Sequence, residues 1–436
     1  MNVEEFKQHE INRREFLGSS AKNAAGMAAG VVGLAGAVAG ASANERIRLG
    51  VIGVRQQGKA LATKLAGFAD VDVSAVCDVD SGLLPIAASA VEELQGSLPR
   101  QEQDFRRLLD DRSIDAIVVA TPDHWHALMT VMACQAGKDV YVEKPVSHNI
   151  AEGEQMVAAA RKLGRVVQSG LQQRSGAHFQ TAVELVQDGG IGEVRLAKAW
   201  TVHRRKPIGS RRDSGVPAGV DYETWMGPAH SRPFNPNRFH QNWHWFWDYG
   251  SGELGNWGVH MLDVARWGLG LELPVNVSAT GGKYHLKDDQ ETPDTLLVNY
   301  NFPGATITWE HRLWSSHGLE GRSAAAAFYG DDGTLVVDRG GWKVYDRKEA
   351  LTADSSELTR SHLRNFIDCI KTRELPSADI AIGHASSTIC HLGNIAYRLG
   401  REVTFDTQQM RFGDDEEANA MLGRDYREPW VMPPIG

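Results

Sequence analysis

The protein has 436 residues, of which 42% are hydrophobic and 23% are charged, and its formal net charge is −9. A chain of this length exceeds one ordinary hydrophobic core, so we expect two domains. The negative charge argues against a nucleic-acid-binding protein or an anionic-membrane binder, and four scattered cysteines indicate neither a disulfide framework nor a cysteine metal site.

The first 43 residues have the pattern of a twin-arginine export signal. Arg13 and Arg14 precede an uncharged stretch that runs from residue 23 to residue 43 and ends in Ala-Ser-Ala, a small-x-small cleavage pattern. Repeated glycines make this stretch only weakly hydrophobic, which disfavours a permanent membrane anchor. We therefore expect a signal peptide over residues 1–43 and a periplasmic or extracellular protein without stable membrane insertion. A membrane anchor and an ordinary helix start are the alternatives.

Residues 44–170 alternate between short apolar runs and amphipathic stretches. Runs such as IRLGVIG, VDVSAVCD, AIVVAT and DVYVEKP are typical of strands, and the stretches between them are typical of helices. Strands that alternate with helices indicate a parallel sheet covered on both faces. The sequence predicts a doubly wound, Rossmann-type domain here.

The first strand-to-helix turn reads GVRQQG and departs from the dinucleotide fingerprint G-x-G-x-x-G, because Arg55 replaces the middle glycine. The next strand ends at an aspartate that can accept both ribose hydroxyls of NAD and would repel the 2′-phosphate of NADP. A purely structural turn is the alternative interpretation. The candidate cofactor-binding residues of this part of the chain are Gly53, Arg55, Gln57, Gly58 and Asp78.

Two later strands also end in polar residues. Ligands of open α/β sheets bind beyond the carboxyl ends of the strands, so these residues are further candidates for contacts with NAD. Pro145 restricts the backbone of the preceding lysine, which could bridge a ribose and a substrate hydroxyl. The candidates are Thr121, Pro122, His124, His126, Glu143 and Lys144.

Residues 171–436 have a different sequence pattern. A long strand, EVRLAKAWTVH, precedes an irregular segment, and the later runs DTLLVNYNF, ATITWEHRLW, AAAAFYG and GTLVVDR are separated by turns such as FPGA and GDDG. Short strands joined by hairpin turns predict an open, mainly antiparallel sheet in a second, substrate-binding α+β domain.

The motifs GVRQQG, TPDHWHA, GKDVYVEKP and GNWGVHMLD together resemble those of Gfo/Idh/MocA-type oxidoreductases, and the resemblance covers essentially the whole chain after the signal. It implies a Rossmann domain, an α/β domain with an open sheet, and hydride exchange between NAD(P) and a sugar or polyol hydroxyl. Lys144 matches the catalytic lysine of that family. The family's open sheet often forms a subunit interface, so we expect a homo-oligomer, with AAAAFYG and ATITWEH as candidate interface strands.

The second motif of the family is D-x-x-x-H on a helix. In this chain His260 stands in the histidine position, and Asn256 replaces the aspartate. Residues four apart share a helix face, so both side chains could reach one substrate. Asp263 lies three residues further on and could orient the imidazole, whose pKa suits removal of a hydroxyl proton. We predict Lys144, His260, Asn256 and Asp263 as catalytic residues.

Other candidates would bind substrate. Five of the twelve tryptophans fall between Trp243 and Trp267, and aromatic faces stack on pyranose rings. The predicted substrate-binding residues are Arg174, His244, Trp257 and His260. No carboxylate or cysteine has matching ligand spacing with the nearby histidines, so we expect no metal.

Three functions are compatible with these residues. The first is NAD-dependent oxidation or reduction of a sugar or glycoside hydroxyl, with a cofactor that stays bound and is recycled, because little free NAD(H) is expected outside the cytoplasm. The second is an NAD-dependent glycosidase that uses transient oxidation, elimination, hydration and reduction. The third is a non-catalytic secreted sugar-binding protein.

Overall fold

A computed structural model describes residues 46–345 and 347–435, and the predicted export signal lies outside these residues. The first sheet has six parallel strands in the order β3-β2-β1-β4-β5-β6. Its strand order changes direction between β1 and β4, which is where doubly wound sheets open a ligand crevice. The strands are β1 (Ile47–Ile52), β2 (Val71–Cys77), β3 (Arg100–Glu102), β4 (Ala116–Val119), β5 (Asp139–Val142) and β6 (Val167–Ser169).

Helices cover both faces of this sheet, as the alternating sequence predicts. Strands β4 and β5 are buried along their whole length because apolar clusters lie on either side of them. The helices of this half are α1 (Gln57–Ala66), α2 (Leu84–Gln95), α3 (Arg106–Leu109), α4 (Asp123–Gln135) and α5 (Ile150–Lys162).

The second sheet has nine strands in the order β14-β13-β12-β11-β7-β10-β9-β8-β15. Its pairs are antiparallel except for β7 with β10, which run parallel. The predicted turns FPGA and GDDG join β9 to β10 and β11 to β12. The strands are β7 (Val194–Val202), β8 (Asn276–Gly282), β9 (Thr295–Phe302), β10 (Ala305–Arg312), β11 (Ala324–Gly330), β12 (Gly333–Asp338), β13 (Gly341–Val344), β14 (Ala350–Thr352) and β15 (Val403–Thr404).

One face of this second sheet packs on three helices, which are Ala177–Gln187, Val259–Gly268 and Ile380–Leu399. Their shared apolar core is the largest of the C-terminal half. Two sheets of these types confirm the predicted fold class, a Rossmann domain followed by an α+β domain. The helices are α6 (Ala177–Gln187), α7 (Tyr222–Met226), α8 (Val259–Gly268), α9 (Glu357–Thr372), α10 (Ile380–Leu399) and α11 (Glu416–Asn419).

The chain after residue 171 also contributes to the first domain. Leu363, Phe366 and Ile367 of α9 are buried in the same apolar cluster as β1 and β2. Trp430, close to the end of the described chain, packs edge-on against Trp125 of α4 at a centroid distance of 4.8 Å. Residues of the C-terminal half therefore pack against the first domain as well as forming the second domain. No helix of the described residues is both long and apolar enough to cross a bilayer.

Candidate active site

The turn after β1 is shaped by two glycines. Gly53 has φ +82°, and a Cβ there would lie 2.6 Å from the Ala120 carbonyl oxygen. A Cβ on Gly58 would lie 1.7 Å from the Gly53 carbonyl oxygen. Neither position can hold a larger residue without moving the turn, so the backbone approaches closely where a pyrophosphate would pass despite Arg55 in the middle.

Asp78 stands at the end of β2, beside this turn. Its carboxylate accepts hydrogen bonds from the backbone N–H groups of Val54 (2.8 Å) and Asp80 (3.0 Å). Burial raises its pKa to about 6, and the two N–H groups oppose that rise. A carboxylate has about four acceptor sites, so two remain for ribose hydroxyls.

The polar residues after β4 divide into two groups. Thr121 and Pro122 line a cavity, and the buried Thr121 hydroxyl has no hydrogen-bond partner among the described residues. His126 also reaches the cavity wall, with Nδ1 2.7 Å from the Pro145 carbonyl oxygen and Nε2 2.9 Å from that of Thr121. His126 therefore connects the segments that follow β4 and β5.

His124 lies on the other side of α4, contrary to the prediction that it contacts the cofactor. It is fully buried, and its Nε2 lies 3.0 Å from the Trp225 carbonyl oxygen. Burial lowers its pKa to about 3, so the ring is neutral. His124 does not line the cavity because it is part of the packing between α4 and the second domain.

Glu143 and Lys144 end β5. The Gln57 amide donates to Glu143 at 2.8 Å, which ties the first turn to this strand end. Lys144 Nζ donates to both oxygens of Asn256, at 2.9 Å to the backbone carbonyl and 3.2 Å to Oδ1. Burial lowers the pKa of Lys144, and Glu143 and Asp123 oppose that effect.

A π-helical turn, Leu254–Gly258, precedes α8 and presents Asn256 to Lys144. The Asn256 amide donates in turn to Glu253 at 3.2 Å. Glu253 has no exposed side-chain surface and accepts two hydrogen bonds from Arg205, at 2.8 and 2.9 Å. Burial alone would raise the pKa of Glu253, but His203 and Arg205 hold it at about 2. A carboxylate is thus linked to Lys144 through one amide.

His260 lies on α8 and lines the cavity. It is 4% exposed, and its Nδ1 has no hydrogen-bond partner among the described residues. Burial, followed by the positive charges of Arg339 and Lys144, lowers its pKa well below the ordinary value. The imidazole is therefore neutral at physiological pH.

Asp263 and Arg174 form a buried ion pair outside the cavity wall, which corrects the roles predicted for both. Arg174 donates to the two Asp263 oxygens at 2.8 Å each, and Ser386 donates to one of them at 2.6 Å. Burial would raise the pKa of Asp263, but Arg174 keeps it below its usual range. Asp263 therefore does not orient His260, and Arg174 does not face substrate, because each neutralises the other.

These strand ends and the π turn surround one cavity of about 610 Å³. This volume is within the usual range for small-molecule sites. The predicted site residues in its wall are Gly53, Arg55, Gln57, Gly58, Asp78, Thr121, Pro122, His126, Glu143, Lys144, His244, Asn256, Trp257 and His260.

Aromatic residues form the wall opposite the first sheet. The rings of Trp243 and His244 stack at 3.7 Å, and the Trp257 ring meets His260 edge-on at 6.1 Å. Burial lowers the pKa of His244 to about 3, and its Nδ1 lies 2.6 Å from the Gln241 carbonyl oxygen. Such flat apolar faces suit the C–H edges of a pyranose.

Sequence reasoning missed two charged residues of this site. Glu253 stands three positions before Asn256, a helical spacing that could have drawn attention to it. Arg339 stands in the turn between β12 and β13, far from every motif, and nothing in the sequence marks it. Among residues 46–345 and 347–435, no group of three or more His, Cys, Asp or Glu side chains is arranged to hold a metal ion.

Two family models match the chain. One, an NAD-binding Rossmann fold of the oxidoreductase family, matches residues 47–171, and the other, its C-terminal alpha/beta domain, matches residues 208–432. The chain belongs to the Gfo/Idh/MocA oxidoreductase family. It is therefore an oxidoreductase with an NAD-binding Rossmann domain, and the two glycines, Asp78 and the unpartnered Thr121 hydroxyl fit that cofactor.

Several known proteins are similar to this chain. The uncharacterized oxidoreductase YrbE of Bacillus subtilis is 25% identical over 85% of this chain and 96% of its own length. A glycosyl hydrolase family 109 protein of Saccharopolyspora erythraea is 29% identical, but the match spans only 47% of this chain and 48% of that protein. The aldose-aldose oxidoreductase of Caulobacter crescentus shares the fold, with a TM-score of 0.62 and 22% identity over 83% of this chain and 100% of that one.

Proposed function

We propose that this protein oxidises and reduces a hydroxyl of a sugar or glycoside, using an NAD that stays bound between turnovers. The observation that carries the proposal is that Lys144 and His260 line the same cavity as the glycine turn and Asp78. NAD, when bound there, supplies the carbon that takes a hydride from the substrate and gives it back. The remaining work of the reaction belongs to the protein's own side chains.

In this proposal Lys144 and His260 handle the hydroxyl proton. The ammonium of Lys144, fixed by the two oxygens of Asn256, donates a hydrogen bond to the substrate oxygen. The neutral imidazole of His260 accepts the proton as the hydride leaves, because its low pKa keeps it unprotonated beforehand. Asn256 positions Lys144, and Trp257 supports the sugar ring.

Backbone contacts beside the cofactor end of the cavity support retention of NAD. The Asp221 N–H donates to the Val79 carbonyl at 2.9 Å, and the Ser81 N–H donates to the Gly219 carbonyl at 3.0 Å. These bonds join the segment after Asp78 to the second domain and so hold the two together beside the cofactor end of the cavity. Retention also suits the predicted export to a compartment with little free NAD(H). A redox-neutral net reaction follows, such as hydride exchange between two sugars, which is what the name of the Caulobacter protein describes.

The residue roles are tested by Lys144→Met and His260→Ala. Each should lower turnover of the active sugar by about a hundredfold or more, because a positioned acid or base contributes that much. Lys64→Met and His230→Ala change the same residue types at exposed positions and should leave turnover intact. Near-normal turnover in both cavity variants would refute the assignment.

NAD-dependent glycoside cleavage is the second candidate, favoured by the family 109 relative and by His244 in the cavity wall. Transient oxidation acidifies the neighbouring C–H, after which the aglycone leaves, water adds and the ketone is reduced. Incorporation of solvent deuterium at that carbon, together with aglycone release, distinguishes this route from simple oxidation. Membership of an oxidoreductase family favours either enzyme over a non-catalytic sugar-binding protein.

A further inference from the structure

Arg339 is a cavity residue that forms no salt bridge with any of the described residues. It occupies the tight turn between β12 and β13, and its guanidinium carbon lies 4.8 Å from the centre of the Trp257 ring. No carboxylate of residues 46–345 and 347–435 forms a salt bridge with it, and its buried Nε has no hydrogen-bond partner in that part of the chain. The guanidinium faces the same space as Lys144 and His260.

Two other arginines of the described residues, one buried and one partly buried, are paired with buried carboxylates. Arg174 has Asp263 and Arg205 has Glu253, each pair held by two hydrogen bonds of 2.8 to 2.9 Å. Arg339 is only partly buried, and Glu143 attracts its guanidinium without forming a salt bridge to it. The hydrogen-bond donors of Arg339 are therefore available to an anionic ligand.

The nearby charges favour one kind of anion. Glu143, the acidic neighbour of Arg339 at this end of the cavity, is already engaged by the Gln57 amide and the Lys144 N–H. A phosphate carries nearly two negative charges, so that carboxylate would repel it more strongly than it would repel a singly charged group. A carboxylate carries one charge and matches the planar fork of arginine with two parallel hydrogen bonds.

We propose that Arg339 binds the carboxylate of an acidic sugar, so that the substrate class of this site is a hexuronate or its glycoside. This inference rests on the proposed function, since it names the substrate of the same cavity. Trp257 contacts both Arg339, at 4.8 Å, and His260, at 6.1 Å, and would support the sugar ring beside them.

Calorimetric titration of the purified protein with NADH present tests the inference without turnover. The probes are D-glucuronate, D-galacturonate and D-mannuronate, each compared with its neutral hexose. At least one uronate should bind ten- to a hundredfold more tightly than its hexose, which is the contribution expected of a charge-assisted hydrogen-bonded pair. Arg339→Gln should remove that preference and Arg339→Lys should reduce it.

Arg195→Gln is the matched control, because Arg195 lies on the second sheet with 65% of its side chain exposed. It should leave the preference intact. Equal binding of uronates and hexoses by the unmodified protein would overturn the inference, and so would an equal loss for both sugars in Arg339→Gln, which would mean that Arg339 only supports Trp257. A sugar phosphate that binds better than every uronate, in an Arg339-dependent way, would also overturn it.

The same protein distinguishes this inference from the proposed function. Arg339-dependent binding of a uronate without any hydride transfer refutes the proposed function and leaves the subsite standing. Hydride transfer from neutral sugars, with no preference for uronates, refutes the subsite and leaves the proposed function standing.

Discussion

Replacing Asn256 by aspartate gives the sharpest test of how Lys144 is controlled. The Asn256 side chain links Lys144 to Glu253: its oxygen accepts from the ammonium at 3.2 Å, and its nitrogen donates to Glu253 at 3.2 Å. Asn256→Asp places a new carboxylate in direct contact with the ammonium. At an effective dielectric constant of about 20, opposite charges separated by 3.2 Å attract by about 5 kcal/mol.

Glu253 opposes this gain, because its carboxylate stands at the same distance on the other side of residue 256. Attraction to Lys144 lowers the pKa of the new aspartate, and repulsion from Glu253 raises it by a similar amount. The new carboxylate should therefore still be charged at neutral pH. Once charged, it stabilises the ammonium and raises the pKa of Lys144 by about one to three units.

The assay is the pH dependence of kcat/KM for the active sugar. Lys144 acts as an ammonium, so activity is lost as the pH rises through its pKa, which burial holds below the ordinary value. Asn256→Asp should move this alkaline limb to higher pH by at least about one unit. Asn299→Asp adds the same charge on an exposed strand position and should not move it. An alkaline limb that stays in place or moves to lower pH would refute the link between Asn256 and Lys144.

Three further changes test separate parts of the structure. Gly58→Ala puts a Cβ 1.7 Å from the Gly53 carbonyl oxygen and should weaken NADH binding at least about tenfold in a fluorescence titration, and unchanged affinity would contradict the tight turn. Arg174→Met removes the two-hydrogen-bond partner of the buried Asp263 and leaves it only Ser386 and the more distant Arg266; it should cost about 3–5 kcal/mol in urea unfolding, whereas a loss below about 1 kcal/mol would contradict a stabilising buried pair. Burial lowers the pKa of His362 to about 4, so below pH 6.5 the unfolded chain binds a proton that the folded protein does not, and stability falls by about 1.4 kcal/mol per pH unit down to about pH 4. His362→Gln should reduce the fall in unfolding midpoint between pH 7 and pH 5, and an unchanged pH dependence would contradict a neutral buried imidazole.

The first sheet and the cofactor edge of the cavity could be predicted from sequence because their signals are local. Period-2 and period-3.6 patterns define the strands and helices, and parallel strands bring their carboxyl ends to one edge. Asp78, Thr121 and Lys144 therefore reach the same cavity although they are far apart in the chain.

The errors arise where packing between distant elements decides a side chain's partner. Asp263 has the spacing to face His260, but its carboxylate instead accepts hydrogen bonds from Arg174 and Ser386, which come from two other segments. His124 and His126 are two residues apart on one helix and so point to different sides of it, and the contact of His124 with Trp225 of the second domain is not marked by any local sequence pattern. Arg339 enters from a hairpin turn whose sequence carries no cofactor or substrate motif.

The most direct test of the central claim is to dialyse the purified protein extensively and assay it without added nucleotide. Denatured protein should then release close to one NAD(H) per chain, and the undenatured protein should convert its sugar substrates in a redox-neutral reaction. Loss of the nucleotide on dialysis, with activity that returns only in proportion to the NAD consumed, would contradict the account and indicate a dehydrogenase with a freely exchanging cofactor.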